Sequence, residues 1–111
     1  MNQFNVKAFQ TSIKATATDV TGAANCRFAL MDIGNNNAAV SYVQVFNTAA
    51  ANVTLGSTAP LLSFEVPANS GRTIPLGAIL NFGGNGFSVA ATTGVANAVA
   101  PSSNVDINIA F

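Results

Sequence analysis

The feature that most constrains this chain is an alternation of apolar and polar residues with a period of two, met again and again along its length. Towards the end, Val105, Ile107, Ile109 and Phe111 alternate with Asp106, Asn108 and Ala110. Side chains of an extended chain point to opposite faces in turn, so such a run is a strand with one face buried. Leu62, Phe64 and Val66 oppose Leu61, Ser63 and Glu65 in the same way, and Phe87, Val89 and Ala91 oppose Ser88, Ala90 and Thr92. Earlier, Ile13, Ala15 and Ala17 alternate with Lys14, Thr16 and Thr18, and Cys26, Phe28 and Leu30 with Arg27, Ala29 and Met31. The segment from Val40 to Phe46 differs. Val43 and Val45 lie on one face and Tyr42 and Phe46 on the other, so it reads as a central strand or as one covered by another chain. Phe4 to Phe9 and Arg72 to Leu76 carry weaker strand patterns, and Pro75 directs the second of these to a sheet edge.

The residues between these runs are turn formers. Thr21-Gly22, the stretch Gly34 to Asn37, Asn69-Ser70-Gly71 and Gly83-Gly84-Asn85-Gly86 supply the backbone freedom that tight turns need. Pro60 and Pro67 bracket one strand. Only Thr48 to Asn52 and Val95 to Ala100 are rich enough in Ala to form a turn of helix, and both read as loops. With 111 residues there is room for one domain. The expectation is a single all-β domain over residues 1–111, an antiparallel β-sandwich of jelly-roll type with about eight short strands. The first 37 residues fit either strands of the sandwich or an N-terminal arm.

Composition narrows the functional classes. Half the chain is hydrophobic, but only 7% is charged, against roughly 25% in an average soluble domain. The formal net charge is zero, and the basic residues are Lys7, Lys14, Arg27 and Arg72 alone. Nucleic-acid binding through phosphate neutralisation needs clustered basic groups, so no nucleic-acid partner is expected. No apolar run reaches the roughly 18 residues of a spanning helix, and Met1 to Lys7 lacks the pattern of a secretory leader, so no membrane partner and cytoplasmic synthesis are expected. So little surface charge makes an isolated domain poorly soluble, which points to a surface that is covered by association.

The search for chemistry returns little. There is no His, and the single Cys26 lies in an alternating apolar run, where a buried inert thiol is expected. The acids Asp19, Asp32, Glu65 and Asp106 are dispersed and read as solvated surface groups; a β-sandwich hydrolase would need two of them brought together. Asp32-Ile33-Gly34-Asn35-Asn36-Asn37 offers oxygen ligands but lacks the spacing and terminal Glu of a calcium loop, so it reads as an Asn-rich hairpin turn. The glycines at 83, 84 and 86 lack the Gly-Lys-Ser/Thr ending of a phosphate loop. Asn52-Val53-Thr54 matches a glycosylation acceptor by chance. A sugar-binding platform would want exposed aromatics, and Tyr42 is the one nominee. No catalytic residue, metal site or cofactor is expected. Exposed-aromatic contacts with partners are expected at Phe4, Phe9, Tyr42 and Phe46.

One stretch carries a family resemblance. The strand Val43-Gln44-Val45-Phe46-Asn47 is followed by an Ala-rich link and by Val53-Thr54-Leu55-Gly56-Ser57-Thr58-Ala59-Pro60. Then come Leu62-Ser63-Phe64-Glu65-Val66-Pro67-Ala68 and Phe82-Gly83-Gly84-Asn85-Gly86-Phe87-Ser88-Val89-Ala90-Ala91-Thr92-Thr93, and finally the closing alternating strand. This order, over residues 38–111, resembles the small structural proteins of tailed bacteriophages, of the capsid cement or decoration type. The resemblance implies a β-sandwich, a non-enzymatic role on the capsid surface of the virion, and two partners: the major capsid protein and the chain itself, as a homotrimer. The same fold class also serves as a receptor- or glycan-binding tip on a phage tail or fibre, which is the alternative expectation.

Overall fold

A computed structural model describes residues 8–20, 26–27, 30–75, 81–82, 87–95 and 98–110. Among these residues ten strands lie in chain order: β1 (Ala8–Ile13), β2 (Thr18–Asp19), β3 (Cys26–Arg27), β4 (Leu30–Asn35), β5 (Ser41–Phe46), β6 (Leu62–Val66), β7 (Ser70–Pro75), β8 (Asn81–Phe82), β9 (Ser88–Thr92) and β10 (Val105–Ala110). One turn of 3-10 helix, Ala50–Asn52, is the only helical element among the described residues. Every strand pairing is antiparallel, and the pairs are nested. The first strand pairs with the last, β1 with β10, and inside that pair β2 joins β9, β3 joins β8, β4 joins β7 and β5 joins β6. Such a chain is one long hairpin rolled up on itself. Two further ladders, β10 with β4 and β9 with β5, close the roll into two four-stranded sheets of order β1-β10-β4-β7 and β2-β9-β5-β6. Eight strands in two packed sheets with this nesting make a jelly-roll sandwich, the expected architecture.

The core lies between the sheets and follows the alternation. In β10, Val105, Ile107 and Ile109 are buried while Asp106 is exposed; in β4, Met31 and Ile33 are buried while Leu30 and Asp32 are exposed. Facing them from the second sheet are Val43, Val45, Val66, Val89 and Ala91, with Ile13, Val20, Ile74 and Phe87 completing the cluster. A buried Val, Leu, Ile, Phe or Met side chain contributes about 1.5–3 kcal/mol, so this layer is the main source of stability.

The strands at 41–46, 62–66, 88–92 and 105–110 fall where the alternation places them. The N-terminal third differs. The alternation places a strand from Ile13 to Thr18, but β1 ends at Ile13 and overlaps the weaker candidate, Phe4 to Phe9, only at Ala8 and Phe9; the chain bends at Lys14 to Thr16, and β2 resumes in the other sheet. Ala15 and Ala17 are too small to hold a long half-buried strand, and the bend lets one chain segment serve both layers. β4 continues to Asn35, through residues expected in a turn. Within the first 37 residues, β1 and β4 are strands of the first sheet, β1 at its edge. Phe28, Thr21-Gly22 and Gly83 to Gly86 lie outside the described residues.

Candidate functional site

The two outer faces of the sandwich are the candidate surfaces, and they differ in kind. On the β2-β9-β5-β6 sheet, register puts Tyr42, Gln44 and Phe46 of β5 beside Thr92, Ala90 and Ser88 of β9 on the face away from the core. All but Tyr42 are buried: Phe46 is 1% exposed and Gln44, Ser88, Ala90 and Thr92 are 0%. The chain attaches its own loops to this face. The Ser88 hydroxyl donates to the Thr48 carbonyl at 2.9 Å, and the Thr92 hydroxyl donates to Gly94 at 2.8 Å while accepting from the Gln44 amide at 2.6 Å. Asp19 accepts the Ala50 N–H at 2.7 Å, which fixes the 3-10 turn. The two loops also meet: a Cβ on Gly56, which has φ +85°, would lie 3.8 Å from the Ala98 Cβ.

On the β1-β10-β4-β7 sheet the outer face is bare. Gln10 and Ser12 of β1, Asp106 of β10, Leu30 and Asp32 of β4, and Thr73 of β7 are exposed on it. Asp106 accepts the Ser12 hydroxyl at 2.6 Å and Asp32 accepts the Thr73 hydroxyl at 3.0 Å. The depressions beside these residues, lined by Gln10, Asp106 and Asn108 or by Leu30, Asp32 and Ala110, are shallow and open to solvent.

The dispersed acids come together only in part. Asp32 and Asp106 share the bare face on neighbouring strands, diagonal to each other, because Asp32 is opposite Asn108 and Asp106 is opposite Gly34. Asp19 lies on edge strand β2 and Glu65 on edge strand β6. Diagonal spacing of roughly 7–8 Å is within the separation of some glycosidase carboxylates. Those enzymes, however, hold their acid protonated in an apolar pocket, whereas both aspartates here are exposed and bonded to hydroxyls. Among the described residues, no three His, Cys, Asp or Glu side chains converge on a metal position.

The Asn-rich stretch turns inward. Asn35 and Asn37 are 0% and 3% exposed. The Asn35 amide donates to the carbonyls of Ala39, Val66 and Pro67, each at 3.1 Å. Its oxygen accepts from the Asn37 N–H, the Asn37 amide and the Ser41 hydroxyl. Asn37 goes on to bond Ser102 and Ser103, and its carbonyl accepts the Asn69 N–H. Asn69 itself has φ 51°, the left-handed turn conformation that Asn tolerates well. These oxygens are occupied by protein donors, and Asp32 points to the opposite face of the sheet, so the stretch closes one end of the sandwich instead of gathering ligands. A residue-by-residue reading assigns Asn to turns; only tertiary burial makes it a clamp.

Of the aromatics expected at contacts, Tyr42 reaches the surface, half-buried, and its O–H donates to Glu65 Oε2 at 3.2 Å. Phe46 does not: the chain's own fold buries it, so it offers a partner nothing. The two-sided pattern of β5 therefore reports a central strand covered by its own loops. Phe9 sits in β1 opposite Ile109, its side chain outside the described part, and Phe4 and the Cys26 thiol also lie outside the described residues. Comparison of the chain with protein-family models, with curated proteins and with solved structures finds no match.

Proposed function

We propose that this chain is a non-catalytic structural protein of a virion, most specifically a cement or decoration protein that binds the assembled major capsid protein together with copies of itself. The observation that carries the reading is the asymmetry of the sandwich: one outer face is covered by the chain's own loops, and the other is flat and bare, with Asp32 and Asp106 among uncharged polar side chains and shallow depressions where a small-molecule site would want a cleft. A flat face of short polar side chains suits docking on an extended protein lattice. The low charge of the whole chain and the resemblance of residues 38–111 to phage cement proteins support the same reading.

The test is the copy number and position of the protein on purified particles, by quantitative mass spectrometry and cryo-EM. Stoichiometric copies over the head are expected. Absence from the particle overturns the proposal, and a few copies confined to a tail or fibre replace it with the receptor-binding alternative.

A further inference from the structure

The sandwich has four edge strands, β1 and β7 in one sheet and β2 and β6 in the other. An edge exposes unpaired backbone groups that invite another chain, and proteins blunt edges with short strands, proline, charge or a covering group. Three of these edges are blunted. β2 is two residues long. β7 carries Arg72 and ends on Pro75. β6 is capped by that same Arg72, whose Nη1 donates to the Glu65 carbonyl at 2.9 Å while the guanidinium lies 5.8 Å from the centre of the Phe64 ring. Among the described residues, β1 has none of these devices. Its six residues, Ala-Phe-Gln-Thr-Ser-Ile, contain no charge, no Pro and no Gly. From Ala8 to Ser12 its main chain pairs with β10 alone among the described residues, and Gln10 and Ser12 are exposed beside the open side.

We infer that the β1 edge is a self-association surface, at which β1 of a second copy adds antiparallel to form one sheet of eight strands across a two-fold axis. This goes beyond the virion reading, since it names the edge and the occupant. Strand addition draws its affinity from main-chain hydrogen bonds and its register from side chains. A second copy is the occupant because the edge is complementary to itself. A two-fold axis perpendicular to the sheet keeps both cores on one side, so opposed residues must share a face, and pairing is centred on Gln10 or on Thr11. Centred on Gln10, the strand opposes Gln10 to the partner's Gln10 and Ser12 to the partner's Ala8. Centred on Thr11, it opposes Gln10 to the partner's Ser12. Neither register sets like charges opposite each other. The two Asp106 carboxylates, each one strand further in, would be about three strand spacings apart, roughly 14 Å and beyond the physiological Debye length. The contact is isologous and closes at two copies. A trimer would need β1 to meet a different edge, and the other three are blunted.

The test is multi-angle light scattering and native mass spectrometry of the purified full chain across a concentration series. A species of twice the 11.2 kDa chain mass is expected, rising with concentration. Gln10→Lys sets two like charges directly opposite each other in the register centred on Gln10 and diagonal to each other in the register centred on Thr11, and should weaken dimerisation about tenfold. Gln10→Glu does the same, and mixing the two variants should restore a mixed dimer. Asn108→Lys, which adds the same charge to the same face but on a central strand, should leave the dimer intact; circular dichroism shows that each variant is folded. A chain monomeric throughout the series, a trimer, or a folded Gln10→Lys variant that associates like the wild type overturns the inference. These outcomes concern the free chain, so they are separable from the particle analysis, in which the protein can be present or absent whatever its state in solution.

Discussion

The two sheets contain four strands each, yet they treat their outer faces in opposite ways. The β1-β10-β4-β7 sheet exposes its outer face and keeps a clean alternation: β10 is buried at Val105, Ile107 and Ile109 and at least partly open at Asp106, Asn108 and Ala110. The β2-β9-β5-β6 sheet is covered on both sides at its centre, and all five residues of β9 are buried. The two long connections, residues 47–61 and 93–104, leave the second sheet at opposite ends, because Phe46 lies opposite Ser88 and Tyr42 opposite Thr92. The Ser88 and Thr92 hydroxyls hold the starts of both segments at Thr48 and Gly94, and the segments meet at Gly56 and Ala98. The strands of the covered sheet are thereby buried within the chain, while the covering segments expose Leu61, Val95 and Val99 and the first sheet keeps a bare face and an open edge.

Phe46→Ala tests that division most severely. If the loops of the same chain cover β5, the isolated protein loses about 3–5 kcal/mol in urea denaturation, the cost of emptying a packed aromatic site. The matching change on the bare face, Thr73→Ala, should stay within about 0.5 kcal/mol. Equal small effects from both would mean that the second sheet is covered only in an assembly.

Next in size is the clamp at the end of the sandwich. Asn35→Ala removes the amide that serves Ala39, Val66 and Pro67 and the oxygen that accepts from Asn37 and Ser41. Groups left buried without partners cost about 1–3 kcal/mol apiece, offset in part by relaxation and by water, so a net loss of about 3 kcal/mol is expected from the same denaturation measurement. Hydrogen exchange should rise at Asn69, whose N–H depends on Asn37. A loss below about 1 kcal/mol would show that the clamp is solvated and that the two sheets are held at this end by apolar packing alone.

The same contrast explains what the sequence could tell. β10 and β6 were legible because apolar and polar residues alternate in step with burial. β5 and β9 were legible as strands, but the meaning of their second face was not, because Tyr42, Phe46 and Ala90 look alike whether a loop or another protein covers them. β4 reaches further than its pattern suggests because Asn35 continues the inward series of Met31 and Ile33 with a polar residue, and polarity outweighs position until the bonds that satisfy it are known. Ala15 and Ala17 mimic a strand where the chain in fact bends, so alternation alone sets the first strand too far along the chain. The nested pairing itself has no local signature; it follows from which strands meet, and those are separated by up to the whole chain. On the candidate surfaces, sequence gave Tyr42 as exposed but could not distinguish Phe46 from it, and it could not place Asp32 and Asp106 on one face.

Tyr42 marks the border between covered and open surface, and it gives the finest test. Its ring is half-buried at the end of β5, and its O–H meets the Glu65 carboxylate across the β5–β6 ladder. The negative charge of Glu65, then partial burial, then the hydrogen bond to that carboxylate raise the phenol pKa above its ordinary 10. The fold favours the neutral phenol, so its contribution to stability is complete below pH 10 and is lost as pH rises through the raised folded value. Since Tyr42 is the only tyrosine and there is no tryptophan, phenolate absorbance reads this one group without overlap. The folded protein should titrate above the urea-unfolded chain, and Glu65→Gln should bring the folded value down towards 10 by removing the largest cause. A folded titration at or below the unfolded one, or one that Glu65→Gln leaves unmoved, would place Tyr42 in open solvent and move the border of the covered face inward to Gln44.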